Sequence, residues 1–229
     1  MTLTQEQRTR EIAIRIPAAV PIFESLGIDY CCGGARTLGE ACEKAHVDWE
    51  TLVQRIDAAQ KVAEPEETKW MDQPLDTLTR YIVDTHHVYV REAIPQIHAR
   101  LERVLTRHGA AHPEIKEIHG LFSALSEELQ DHMMKEERIL FPILEKMTAG
   151  QPLSFKAALD SPIRRMMIEH DDAGELLAKI RTLSSGYRPP AGACPTYHAL
   201  YHELAEFERD LHQHIHLENN ILFPRALAS

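Results

Sequence analysis

The 229-residue chain is short of basic charge, aromatic residues and cysteine. It carries 25 lysines and arginines against 35 aspartates and glutamates, a formal net charge of −10. That balance argues against the basic surface with which proteins hold nucleic acid or anionic membranes, so neither is expected as a partner. No stretch approaches the roughly eighteen apolar residues that cross a bilayer. The opening MTLTQEQRTREIAIRIP lacks the charged-then-apolar layout of a secretory signal. Four cysteines, two of them adjacent, do not make a disulfide scaffold, and a reducing cytoplasm is the expected location. Strand-like alternation is missing as well, because apolar residues recur every three or four positions. Histidine is the outlier on the other side: 14 copies, in a chain whose 44% apolar content suffices for a core.

The spacing predicts an all-α protein in three parts. Residues 1–62 read as a small domain of short helices around a Cys-Cys motif, and 63–74 (AEPEETKWMDQP) as a polar linker. Residues 75–229 read as an up-down four-helix bundle, with helices near 75–108, 113–147, 155–184 and 196–224. Their inward stripes are Val83, His87, Val90, Ile94, Ile97 and Leu101; Ile118, Phe122, Leu125, Leu129, His132, Glu136, Ile139 and Ile143; Ile163, Met166, His170, Ala173, Leu177 and Ile180; and Leu200, Leu204, Phe207, Leu211, His214, Glu218 and Ile221. Ionisable residues thus stand in core positions on all four helices, where burial without partners costs several kcal/mol each.

Two of these stripes repeat a sentence. HMMKEERILFP (132–142) returns as HIHLENNILFP (214–224). Histidine and glutamate four apart emerge from one helix face, one turn apart. A lone histidine precedes each pair at nearly the same distance, His87 by 45 residues and His170 by 44. Two such half-sites face to face would gather four imidazoles and two carboxylates: His87, His132, Glu136, His170, His214 and Glu218. A single HxxxE is usually a solvated pair, and a single buried histidine is usually a hydrogen-bonded core residue. Repetition in phase on four helices points instead to ligands for two metal ions.

The absence of thiolate argues against a closed structural zinc site. Mixed imidazole and carboxylate suits iron, manganese or zinc, and a pair of ions inside a helical bundle favours iron. Glu136 and Glu218 would bridge the ions and offset their repulsion. Six ligands for two ions leave positions for water, an oxo or hydroxo bridge, or a substrate. Glu128, one turn before His132, and Glu169, beside His170, stand ready to add charge, an outer hydrogen bond or a proton. His86 ranks behind His87 as a ligand, and His216 is expected to point away. His198, His202 and His212 fall near the site or on the surface, and His98, His108, His112 and His119 in solvent.

DYCCGG is the second unusual stretch. Adjacent cysteines have Cα atoms about 3.8 Å apart, below the usual disulfide range, so a Cys31–Cys32 bond would be strained and easily reduced. The two glycines suggest an open, flexible backbone. Thr37 is a candidate cap for the next helix, whose start would lower the thiol pKa. The competing reading is two small buried hydrophobes beside a turn. Cys42 reads as core, and Cys194 as a loop thiol with no evident partner.

DYCCGG, EELQDHMMKEERILFP, EHDDAGELL and HIHLENNILFPRAL occur in this order, and with them nearly the whole chain resembles the hemerythrin-like iron-sulfur cluster repair family, called YtfE, ScdA or RIC. The resemblance implies a small Cys-Cys domain joined to a hemerythrin-like bundle with a non-haem di-iron centre. The family's ligands fall on the six residues above, the two glutamates bridging, and its additional glutamates near iron fall on Glu128 and Glu169. Val90 stands where the family often has a second histidine. Family members restore iron-sulfur clusters after nitric oxide or peroxide damage, and bind or process nitric oxide. Damaged iron-sulfur proteins, nitric oxide and an electron donor of unknown identity are the partners this implies. Cys31 and Cys32 would take up iron or nitrosyl, or exchange electrons. Alternatives are a hemerythrin-type buffer or sensor for nitric oxide or dioxygen, a nitric oxide reductase or diiron oxidase, and an iron store. Pairing of two chains stays open.

Overall fold

The computed structural model describes residues 3–60, 70–148 and 156–228, apart from the side chains of 148 and 156–158. Most of the expected linker lies outside the described residues. The fold is all-α, and no strand forms among the described residues. Helices α1 (Thr9–Arg15), α2 (Val20–Leu26), α3 (Leu38–Ala45) and α4 (Trp49–Gln60) precede the bundle. They are followed by α5 (Leu75–Tyr81), α6 (Val88–His108), α7 (Glu114–Lys135), α8 (Phe141–Thr148), α9 (Lys156–Leu183), α10 (Pro195–His216) and α11 (Phe223–Ala228). The chain divides into two compact units, Met1–Leu78 with Gln213–Ser229, and Thr79–His212.

In the smaller unit, Ile12, Phe23, Leu38, Leu52 and Ile56 are fully buried. Local chemistry sets the helix ends. Gly27 closes α2 in the left-handed conformation, with φ 68°. Thr37 caps α3 as expected, its hydroxyl accepting from the Glu40 N–H while Glu40 accepts from the Thr37 N–H. Helix α1 packs on the segment Leu217–Leu222.

The larger unit is built on α6, α7, α9 and α10. Helix α7 packs on both α6 and α9. Phe207 of α10 meets Phe122 of α7 and Tyr89 of α6, and the buried Glu208 of α10 takes the Arg181 guanidinium of α9 at 2.8 Å.

The four long helices are not equally regular. Wider π turns occupy Ile82–His87, Glu136–Leu140 and Leu217–Leu222. The repeated Ile-Leu-Phe-Pro tail accounts for two of them. Pro142 and Pro224 stand two residues beyond these turns; a proline has no N–H to give, and its ring clashes with the carbonyl four residues back. Widening the preceding turn relieves both conflicts.

Each π turn adds a residue and rotates the helix beyond it, which corrects the expected stripes. Ile139, assigned to the core, is 56% exposed, while Leu140, Phe141 and Leu144 are buried. Ile143 is only partly covered. In the first helix Ile82 is buried in place of Val83, and His86 and His87 both turn inward. Helix α9 has no such turn, and all six of its stripe residues are buried as the period demands.

Candidate metal centre

Four of the expected ligands lie in the larger unit, and all are at most 2% exposed. His87 comes from the first π turn, His132 from the end of α7, Glu136 from the π turn after it, and His170 from the middle of α9. The Glu136 carboxylate faces two imidazoles, one on each oxygen. Oε2 is 3.4 Å from His87 Nε2, and Oε1 is 3.3 Å from His132 Nε2. His170 Nε2 is 3.0 Å from His132 Nε2. His132, Glu136 and His170 each offer a ligand atom within 4.8 Å of the others, as do His87 and Glu136.

The far side of each imidazole explains its orientation. His87 Nδ1 is 2.7 Å from Glu137, which also takes Arg91 at 2.6 Å. His132 Nδ1 is 2.9 Å from Glu169, which also takes Arg165 and Lys135. An imidazole that donates Nδ1–H to a carboxylate presents the Nε2 lone pair on its other side, toward Glu136. The chemistry of this donor set, buried imidazole nitrogens around a buried carboxylate, fits non-haem iron. His86 is buried too, but its Nδ1 meets Asp210 at 3.0 Å and its ring meets Tyr81 edge-on.

One expectation changes here and another narrows. Glu128 is exposed. The inward stripe runs through Leu125, Leu129 and His132; Glu128 is about 40° from His132 but about 100° from Leu129, at the solvent edge of that stripe. Glu169 does adjoin the ligands, but as a fixed anion. The hydrogen bond from His132, joined by those from Lys135 and Arg165, outweighs partial burial and holds its carboxyl well below the usual range. A proton-carrying carboxyl needs the opposite shift. Glu137 was missed. Partial burial would raise its pKa, but the hydrogen bonds from His87 and Arg91 together lower it. The signal available in the sequence was its place directly after Glu136, one helical step toward the neighbouring helix.

His214 and Glu218 lie in the smaller unit, almost fully buried, with His214 Nε2 3.1 Å from Glu218 Oε1. The residues after Glu218 differ from those after Glu136, and so does their use. Asn219 donates to the Cys31 carbonyl at 3.4 Å, and Asn220 to the Tyr30 carbonyl at 3.0 Å. His216 packs edge-on against Tyr30 and lies 2.8 Å from Asn220. Burial pushes its pKa down to about 4.

The Cys-Cys loop is therefore held, not loose. Both cysteines are thiols, with Sγ atoms 3.7 Å apart. The Asp29 carboxylate accepts from the N–H of Cys32 at 3.0 Å and of Gly33 at 2.8 Å. A Cβ on Gly34 would stand 2.7 Å from the Tyr30 carbonyl oxygen, so glycine serves close approach here and not flexibility. The expected depression of thiol pKa does not occur at Cys31. Its bond to Cys32, its burial and the nearby Asp29 raise it well above the usual value. Cys194 is likewise not isolated, with His108 Nε2 at 3.2 Å.

Comparison with known proteins decides the family. The model of the hemerythrin HHE cation binding domain matches residues 78–226, and that of the ScdA_N domain, described as a domain of unknown function, matches 5–60. Iron-sulfur cluster repair protein YtfE of Pectobacterium carotovorum is 40% identical over 227 residues, covering 97% of both chains. The proteins of that name from Musicola paradisiaca and Yersinia pseudotuberculosis are 41% and 38% identical, again over 97% of both chains. The chain belongs to the hemerythrin-like iron-sulfur cluster repair family. Its hemerythrin match contains both copies of the His-Glu repeat, and its ScdA_N match contains the Cys-Cys loop. No helix among the described residues is long and apolar enough to cross a membrane.

Proposed function

We propose that this protein is a di-iron protein of iron-sulfur cluster repair, acting in the cytoplasm on clusters damaged by nitrosative or oxidative stress. His87, His132, Glu136, His170, His214 and Glu218 would hold two non-haem irons, with Glu136 and Glu218 bridging. Residues 75–229 would serve as the iron domain and 1–62 as the thiol domain. Support for one joint site comes from the family match, which runs as a single domain across all six residues. The in-phase repeat supports it too.

The observation that carries this reading is the Glu136 carboxylate, with an imidazole Nε2 on each oxygen. Iron bound there would supply one-electron chemistry and coordination positions open to nitric oxide. The protein's own part is orientation and charge. Glu137 and Glu169 fix the tautomers of His87 and His132, and their negative charge adds to that of the bridging pair. Burial of every proposed ligand excludes bulk water and strengthens these electrostatic effects.

The test is repair itself. A nitric-oxide-inactivated iron-sulfur dehydratase should regain activity with the iron-loaded protein and a reductant. It should not do so with the His132→Ala or His214→Ala variant. Tight nitric oxide binding with no recovery of the target would replace repair by a buffering or sensing role.

A further inference from the structure

The loop Asp29–Gly33 brings together a second set of metal-binding groups. We infer that Asp29, Cys31 and Cys32 form a separate site for one thiophilic divalent cation, of the Fe(II), Co(II) or Zn(II) class. The three residues each offer a ligand atom, and these lie within 4.8 Å of one another.

The distances are those of ligands around one ion. Two sulfurs each about 2.3 Å from a tetrahedral ion stand about 3.8 Å apart, and the Cys31 and Cys32 sulfurs are 3.7 Å apart. A sulfur at that distance and a carboxylate oxygen at about 2.0 Å stand about 3.5 Å apart, and Cys31 Sγ is 3.7 Å from Asp29 Oδ1. The same adjacency that strains a disulfide leaves the sulfurs correctly spaced for chelation.

The site is also preorganised. Backbone N–H groups of Cys32 and Gly33 fix the Asp29 carboxylate, and Arg36 approaches its other oxygen at 3.4 Å. On the loop's other side, Asn219 and Asn220 hold the Cys31 and Tyr30 carbonyls. Cys31 is buried, whereas Cys32 and Asp29 reach the surface, so an ion has a path in. Uptake replaces both thiol protons by the cation and releases them to solvent, leaving two thiolates and a carboxylate around a dication. Three protein ligands leave one position open, as in exchangeable rather than structural sites. This site does not depend on the di-iron reading, since it shares no ligand with the bundle.

Cobalt(II) titration of the full-length protein, with the bundle already loaded with iron, tests it. The proposed bundle ligands include no thiolate, so a thiolate-to-cobalt charge-transfer band reports the loop. One cobalt per chain should develop that band and be displaced by zinc. Cys31→Ser and Cys32→Ser should each abolish the band, while Cys42→Ser and Cys194→Ser leave it. Asp29→Asn, which can still accept from both N–H groups, should weaken binding about tenfold and keep the band. Circular dichroism confirms that each variant is folded, and alkylating the thiols of the native chain gives the same loss without substitution. No band in the native protein, a band that survives Cys31→Ser, or unchanged affinity in Asp29→Asn overturns the proposal.

Discussion

Glu137 gives the sharpest test of how the histidines are held. Its Oε1 lies 2.7 Å from His87 Nδ1 and 2.6 Å from Arg91 Nη2, and its side chain is 27% exposed. Glu137→Ala leaves the fully buried His87 ring without the acceptor that fixes its tautomer. Nε2 then carries the proton in part of the population, and a protonated Nε2 cannot ligate. Loss of such an outer carboxylate costs roughly 10- to 100-fold in metal affinity, about 1.4 to 2.7 kcal/mol. The alanine variant belongs near the upper end because His87 is buried. Glu137→Gln belongs near the lower end, since its amide oxygen still accepts from Nδ1–H. Arg91→Ala should change affinity by less than about threefold, because that side chain is 45% exposed and water replaces the ion pair. The assay is anaerobic competition for Fe(II) against a coloured chelator, with thermal unfolding of the metal-free proteins as a control. Wild-type affinity in Glu137→Ala, or an equal loss in Arg91→Ala, would refute the orienting role.

Three further outcomes follow from the fold. The π turn after α7 predicts that Leu140→Ala costs about 2–5 kcal/mol while Ile139→Ala stays within about 0.5 kcal/mol; denaturant unfolding would give the reverse order if the helix were regular. Gly34→Ala places a methyl 2.7 Å from the Tyr30 carbonyl and 2.9 Å from Arg10 Cβ. It should destabilise by about 1–3 kcal/mol in thermal unfolding, and an unchanged midpoint would mean the loop is not packed as described. Arg181→Ala removes the main partner of Glu208, whose side chain is 6% exposed against 34% for that of Arg181, and leaves His212 at 4.0 Å. The expected loss is about 2–3 kcal/mol, below the figure for a fully buried pair because the arginine is partly solvated. Arg181→Ala together with Glu208→Leu should recover part of it.

Much of the candidate site was legible because ionisable residues in a hydrophobic stripe demand an explanation, and a repeat in phase supplies one. The α9 stripe was read correctly through His170 because that helix keeps one period throughout. Ile139 and Val83 were misplaced because a π turn shifts the register by one residue, and periodicity carried into the turn from the regular helix on either side gives no warning of it. The warning stood in Pro142 and Pro224, each six residues after its glutamate. Glu137 and the Asn219–Asn220 pair were hidden for a different reason. The two repeat copies diverge directly after the shared glutamate. One copy anchors a histidine and the other anchors the Cys31 loop, and only three-dimensional contacts show which. The direction of the Cys31 shift depended likewise on Cys32, burial and Asp29, none of which the nearby helix start at Leu38 reveals.

The proposed site holds two irons in each chain on four histidines and two glutamates. Mössbauer spectroscopy of the anaerobically reconstituted protein, with iron counted per chain, tests it most directly. Two high-spin non-haem irons per chain are expected in the native protein, with loss of both signals in the His132→Ala, His214→Ala double variant. One zinc, a single iron, or two irons that persist in the double variant would contradict it.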